Sequence, residues 1–340
     1  MDKERFSEIG RVEAIRRLYE GSGFEMAEAG SFKIAGPGRI GSWSRLFIEG
    51  IDFSLIYFPL RHLGYKCVSA LAGEVYASFS HPRSLDVKIG VSAKLDFSQI
   101  SELWQGITTA ASEHRFLSLS LDLLPSPNGL TIAVSATGEE SKLQESRRPE
   151  AKSKDLLCVS GSLGAAYFGL SLLEKERKNF EKTGKDESRE NLEKYKMFVA
   201  DYLKPQINPG TINSLEDEEI VPSAGVLVTR GLSDAIKRIS AATGLGVKVY
   251  ASMIPFEGNS FDLGKEMGID PVSAAMNGGD DYRLLFTIPI LKAEKFRRDF
   301  QTFDVIGHLA QKDVGTVLVT PEGAEFPVHA QGWKEKEEDE

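Results

Sequence analysis

Between Asp86 and Thr137 the apolar residues change period twice, from strand to helix and back, and that order limits the folds open to the chain. Val87, Ile89 and Val91 alternate with Asp86, Lys88 and Ser92, the period of a half-buried strand. A helix is expected next, opened by Asp96 or Ser98, with Ile100, Leu103, Trp104 and Ile107 at helical spacing. Leu117 to Asp122 alternate again, Pro125 to Gly129 carry turn residues, and Leu130 to Thr137 read as a third strand. Strand, helix, strand, strand, with one polar sheet face, predicts an α+β layer.

Residues 139–155 are charged without an apolar period, and a domain boundary is expected there, dividing 1–145 from 146–333. Leu156 to Val159 read as a short buried strand, followed by Gly161-Ser162-Leu163-Gly164 and an apolar helix from Ala165 to Leu173. Glu174 to about Leu203 reads as exposed helices joined near Gly184. A helix with Ile236 and Ile239 inward is stopped by Gly244. Val247 to Ala251 and Leu284 to Ile288 are further strands, the latter entered through Asn277-Gly278-Gly279-Asp280-Asp281-Tyr282. Lys334 to Glu340 reads as a disordered acidic tail.

A net charge of −9 argues against nucleic acid or an anionic membrane as partner, and leaves room for a local basic pocket around one phosphorylated small molecule. Met1 to Arg5 are followed by no apolar core, so no signal peptide is expected. The apolar stretch Phe53 to Leu60 is too short to span a bilayer. Cys67 and Cys158 leave one disulfide open, but the favoured reading is two buried thiols of a reducing, cytoplasmic compartment. The histidines form no H-x-x-x-H pair, and zinc is not expected.

Several stretches, in order, resemble the thiamine-monophosphate kinases of the aminoimidazole-ribonucleotide-synthetase superfamily. Glu49-Gly50-Ile51-Asp52-Phe53 with Pro59 to Lys66 resembles the family's E-G-x-H-F and P-x-x-x-G-x-K. Val159 to Ala166 resembles V-T-G-x-L-G-x-A, and Asn277 to Phe286 resembles N-G-G-E-D-Y-E-L-L-F. Gly231-Leu232, Gly244, Gly246, Ile254-Pro255, Ile306-Gly307-His308 and Gln331-Gly332-Trp333 also fit, so the resemblance runs from about residue 40 to 333. It implies a fold of two α/β domains, dimerising through the N-terminal sheet as a homodimer. It also implies transfer of the ATP γ-phosphoryl group to thiamine monophosphate, with magnesium.

Such transfer gathers negative charge and needs metal held by carboxylates. The family's aspartate motifs fall here on altered residues. T-T-D falls on Trp43-Ser44-Arg45, and D-I-S-D-G on Leu227-Val228-Thr229-Arg230-Gly231. S-D-x-x-A-M falls on Gly73 to Ser78, with Glu74 for the aspartate, and G-G-D-T-T on Ser120 to Leu124, keeping Asp122. G-D-D-A-A-V falls near Ala27 to Phe32, leaving Glu28. Glu28, Glu74 and Asp122 are thus the candidate metal ligands, with Asp122 also the catalytic candidate. An arginine cannot ligate magnesium. Arg45 and Arg230 either bind phosphate directly or pair with acids such as Glu74 or Asp122 and close the site. Gly161 to Gly164 form either an anion-binding helix entrance or a packing turn. Asp280 and Asp281 either orient a ligand or shape a turn. Trp333 either stacks on ligand or anchors the C-terminus. Two functions stay open, a kinase of unusual metal dependence and a catalytically inactive relative acting in ligand binding or regulation.

Overall fold

The computed structural model describes residues 17–24, 39–147, 149–183 and 192–328. They form two compact units. The first takes the described residues up to Pro149 together with Gly169–Pro222; the second takes Glu150–Phe168 and the described residues from Ser223. The segment 169–222, read from sequence as part of the second domain, therefore groups with the first unit.

In the first unit β1 (Ile40–Ile48), β2 (Ser80–Ser92), β3 (Ser118–Ser126) and β4 (Thr131–Glu140) form a sheet of order β1-β4-β2-β3. Helix α1 (Leu60–Ala77) precedes β2, and α2 (Phe97–Glu113) links β2 to β3, which run parallel as a crossover requires. β4 returns antiparallel between β1 and β2. The two-residue period sends Leu85, Val87, Ile89, Leu121, Ile132 and Val134 to the helix side, where all are buried. Each such side chain contributes about 1.5–3 kcal/mol. Asp96 opens α2 with a capping box: its carboxylate accepts the Gln99 N–H at 3.0 Å, and Gln99 Oε1 accepts the Asp96 N–H at 3.0 Å.

Helices α1 and α2 touch backbone to backbone. A Cβ on Gly64 would lie 2.1 Å from the Leu103 carbonyl oxygen, and one on Gly106 would lie 1.9 Å from that of Arg61. Only glycine permits this approach.

The two units divide at Pro149 and Glu150, inside the charged stretch 139–155, but that stretch also holds regular structure. β4 runs to Glu140 and helix α3 (Lys142–Arg147) follows. Partners meet two of the charges: Arg83 pairs with Glu139, and the Gln144 side-chain amide donates to Glu140. β3 likewise continues through Pro125 and Ser126, where a turn was expected.

Helix α4 (Ala165–Thr183) starts in the second unit, and its later turns, with α5 (Lys196–Leu203) and α6 (Thr211–Asp217), pack in the first. Buried Lys66 holds them there. Its Nζ donates to the Tyr202 carbonyl at 2.9 Å and lies 3.9 Å from the Tyr202 ring centroid and 5.3 Å from that of Phe58. Tyr57 donates to Glu174 at 2.6 Å, and His81 Nε2 meets Glu216 at 3.0 Å.

The second unit is built on a seven-stranded sheet of order β11-β10-β7-β9-β5-β8-β6. Its strands are β5 (Leu156–Val159), β6 (Ala224–Val228), β7 (Gly246–Tyr250), β8 (Arg283–Ile288), β9 (Asp304–Ala310), β10 (Thr316–Val319) and β11 (Glu325–Pro327). Helix α7 (Gly231–Thr243) lays Ile236 and Ile239 on Leu157, Val159, Val226, Val228, Val247 and Val249. Gly244, at φ +70°, ends it in the left-handed conformation. Helices α8 (Ser260–Met267), α9 (Pro271–Asn277) and α10 (Ala293–Asp299) complete the unit. Both cysteines are buried thiols outside any disulfide, and burial pushes the Cys158 thiol up to about 12. No helix among the described residues is long and apolar enough to cross a membrane.

Gly106→Ala is expected to cost about 2–3 kcal/mol in urea unfolding, because two helix backbones must part. His114, at the end of α2, is fully buried against Tyr76, and burial lowers its pKa to about 4. The unfolded chain therefore takes up a proton more readily between pH 6.5 and 4. The stability held above pH 6.5 falls as pH drops through that window, by roughly 2–3 kcal/mol at pH 4.5. His114→Gln should remove this part of the pH dependence, measured as the difference between the two proteins' unfolding curves at pH 7 and 4.5.

Candidate functional site

The C-terminal ends of β5 and β6 and the entrance to β8 meet at one end of the second unit's sheet. β5 leaves the sheet at Ser160, whose N–H donates to Leu284 O at 3.0 Å and whose Oγ accepts the Leu284 N–H at 2.8 Å. The chain then turns through Gly161 to Gly164. Leu163 N–H donates to Pro255 O at 2.9 Å, and Arg283 Nε braces the turn by donating to Ser162 O at 3.1 Å. Gly164 sits at φ +79°, and a Cβ there would lie 2.9 Å from the Ala275 nitrogen.

This turn delivers the N-terminus of α4, and the anion it attracts is the protein's own. The Asp281 carboxylate accepts the Gly164 N–H at 3.0 Å and the Ala166 N–H at 3.3 Å. Asp281 is only 3% exposed, so these are desolvated, charge-assisted bonds. Two of the N–H groups at this helix entrance are therefore already engaged by a carboxylate.

The turn that presents Asp281 is unusual. Gly279, Asp280 and Tyr282 have φ of +83°, +62° and +49°. Left-handed conformations of this kind cost non-glycine residues about 1–3 kcal/mol each. Bonds to the end of β6 offset that cost: Asp280 N–H donates to Thr229 O, and Tyr282 N–H to Val228 O, both at 2.9 Å. Asp280 and Asp281 therefore both shape the turn, and Asp281 also caps a helix.

The same bonds bring Gly279 against Arg230, whose Cα would lie 3.4 Å from a Cβ on that glycine. Arg230 is the N-cap of α7, makes no side-chain cap bond and is exposed. Gly231 follows at φ +81°, where a Cβ would lie 2.4 Å from Met276 O. Nearby, Asn277 Oδ1 is buried without a hydrogen-bond partner among the described residues. One helix entrance at this sheet end is thus filled by an internal carboxylate. The other is uncapped and carries a guanidinium.

Of the residues read from sequence, Gly161, Gly164, Arg230 and Asp281 come together here. Arg45, Glu74 and Asp122 are in the first unit. Arg45 lies over the Phe47 ring at 4.9 Å, in register with Val134 on the helix side of the sheet. Glu74 belongs to α1, which covers that side. Asp122 alternates with buried Leu121 and Leu123 and so faces the opposite side, where its Oδ1 accepts the Leu123 N–H at 2.9 Å. The sheet separates Glu74 from Asp122. Glu28 and Trp333 lie outside the described residues, as do Gly184 and the tail from Lys334. Sequence reasoning missed Arg283 as the brace of the Gly161 turn and Lys66 as the buried anchor; the G-x-K spacing ending at Lys66 was the available signal for the second.

No family model matches the chain. Over 290 residues it is 22% identical to a thiamine-monophosphate kinase of Bacillus subtilis, covering 84% of this chain and 85% of the relative. Over 242 residues it is 23% identical to that of Aquifex aeolicus, covering 71% and 73%. Among solved structures it superposes on a thiamine-monophosphate kinase from Stenotrophomonas maltophilia with a TM-score of 0.72 at 19% identity, over 92% of this chain and 96% of that one. It superposes on the E. coli hydrogenase maturation protein HypE at 0.70 and 16% identity, over 94% and 97%. AaThiL complexed with AMPPCP and TMP gives 0.69 at 19%, over 96% and 99%. The fold is thus the aminoimidazole-ribonucleotide-synthetase-like fold these proteins share.

Asp281→Ala should destabilise the second unit by about 3 kcal/mol, since two buried N–H groups lose their acceptor. Asp281→Asn should cost about 1 kcal/mol. Hydrogen exchange at the Gly164 and Ala166 amides should accelerate in both, and more in the alanine variant.

Proposed function

We propose that this chain, a divergent relative of the thiamine-monophosphate kinases, binds a phosphorylated small molecule at the Arg230 end of its second unit without metal, and that its capacity for phosphoryl transfer is impaired. ATP and thiamine monophosphate are the ligands to consider first, because relatives carry that activity in their names and one neighbouring structure holds AMPPCP and TMP. The observation that carries the reading is Arg230: an exposed guanidinium at the uncapped N-terminus of α7, where the family motif has an aspartate. The guanidinium and the helix end favour a phosphate over a divalent cation, with Asp234 the one acidic side chain in the first turn to set against them.

The magnesium that the family chemistry would use does not fit the described residues. They contain no group of three acidic, histidine or cysteine side chains able to hold a metal. Glu74 and Asp122, the two candidate ligands among them, stand on opposite sides of a sheet. The reading includes a cytoplasmic homodimer joined through the first unit's open sheet face. There Ile40, Leu46 and Leu124 share one side by register and are exposed by 40%, 50% and 49%.

Isothermal titration with ATP in excess EDTA should show binding, and Arg230→Ala should weaken it about tenfold, the loss of one charge-assisted contact. Thiamine diphosphate formation from ATP and thiamine monophosphate, with excess magnesium, should be far below kinase rates. Turnover of about 1 s⁻¹ or faster would overturn the impaired-transfer reading. An absence of nucleotide binding in EDTA would overturn the metal-free one.

A further inference from the structure

The second unit carries another candidate site on the opposite face of its sheet, away from the α7 core. The register of β5, β7 and β9 places Leu156, His308 and Lys248 together on that face, while Leu157, Val247 and Val249 face the core. A pocket of about 280 Å³ opens there, with Tyr250, Met253, Leu156, His308, Lys154 and Arg297 in its lining. That is just below the usual range for ligand pockets, about 300–1,000 Å³, and suits one ring with one charged group.

The lining has two chemically distinct parts. Tyr250 and His308 are stacked, with ring centroids 5.8 Å apart and planes 29° from parallel. A stacked pair of half-exposed rings offers a flat surface for a third. Lys154, in the loop before β5, and Arg297, on α10, supply two exposed cations from separate elements. Neither side chain is in an ion pair among the described residues, and none of the residues lining the pocket is acidic. The neighbouring charges are accounted for: Lys248 is engaged by Glu325, and Asp304, together with Arg297, influences Cys158 from beside it. Two unneutralised cations match a dianion better than a carboxylate, and a guanidinium presents the forked donors that phosphate oxygens accept.

We propose that this pocket binds a small aromatic phosphate, with its ring against Tyr250 and His308 and its phosphate held by Lys154 and Arg297. It shares no residue with the Arg230 site and stands or falls separately.

The test is an NMR titration of the full-length protein with phenyl phosphate, following the His308 imidazole signal, with inorganic phosphate and phenol as separate arms. Phenyl phosphate should shift His308 saturably and bind at least about tenfold more tightly than either fragment, since it engages both halves of the lining. Lys154→Gln and Arg297→Gln should each weaken it by roughly fivefold. Both residues are exposed, so the variants are expected to fold, which their amide spectra check. Unchanged affinity in the folded double variant, or no shift of His308 at saturating probe, would overturn the proposal. Equal affinity for inorganic phosphate would overturn the aromatic class of ligand.

Discussion

A buried helix N-terminus needs an acceptor, and in the second unit Asp281 supplies it to α4 across 117 residues of sequence. Much else follows from that demand. To place a carboxylate under Gly164 and Ala166, the chain before β8 must reverse sharply, which puts Gly279, Asp280 and Tyr282 in the left-handed region. The strain is tolerated because the turn's N–H groups reach Thr229 and Val228 at the end of β6. Arg283, at the start of β8, returns the constraint by bracing Ser162. The positions of Arg230 and the start of α7 are consequences of this one buried carboxylate and the turn built around it.

The two helix entrances at this end of the sheet then have opposite electrostatic characters. At α4 the partial positive charge is neutralised internally, in a desolvated setting where an additional anion would meet Asp281 repulsively. At α7 no side chain caps the helix, and a guanidinium adds to its field. In the proposed reading, a phosphate approaching this surface is directed to the second entrance. The glycine-rich turn, which sequence alone left divided between anion binding and packing, serves packing and internal capping.

The fold was legible wherever apolar period was local. β2, α2, β4, α7 and the stop at Gly244 follow from alternation, helical spacing and cap chemistry that lie within a few residues. β1 escaped because Gly41, Ser42 and Ser44 dilute its alternation on an edge strand. The placement of 169–222 was hidden for a different reason: it rests on Lys66 reaching Tyr202, a contact of sequence-distant residues with a lysine in a buried role. The candidate site was half legible. Motif order identified Gly161, Gly164, Arg230 and Asp281, which do come together, but the partner of Asp281 could not be read from its neighbours. Glu74 and Asp122 looked alike as carboxylates in family positions. The parity of Leu121-Asp122-Leu123 already assigned Asp122 to one sheet face, but only the packing of α1 shows that Glu74 lies on the other.

The divergence of charge proposed at this site is compatible with retention of the fold because the two rest on different atoms. Helix packing in the first unit depends on backbone contact at Gly64 and Gly106, and the second unit's sheet end on the Asp281 cap and its turn. Arg230 belongs to neither set. It is exposed, caps nothing with its side chain and lies beside the turn without holding it. Exchanging a carboxylate for a guanidinium at such a position changes folding stability by a few tenths of a kcal/mol, whereas it inverts the sign of the field that a ligand meets. A scaffold of this kind can lose one ligand chemistry and acquire another at little cost to its stability. The residues that report the change are the ones on which the fold does not depend.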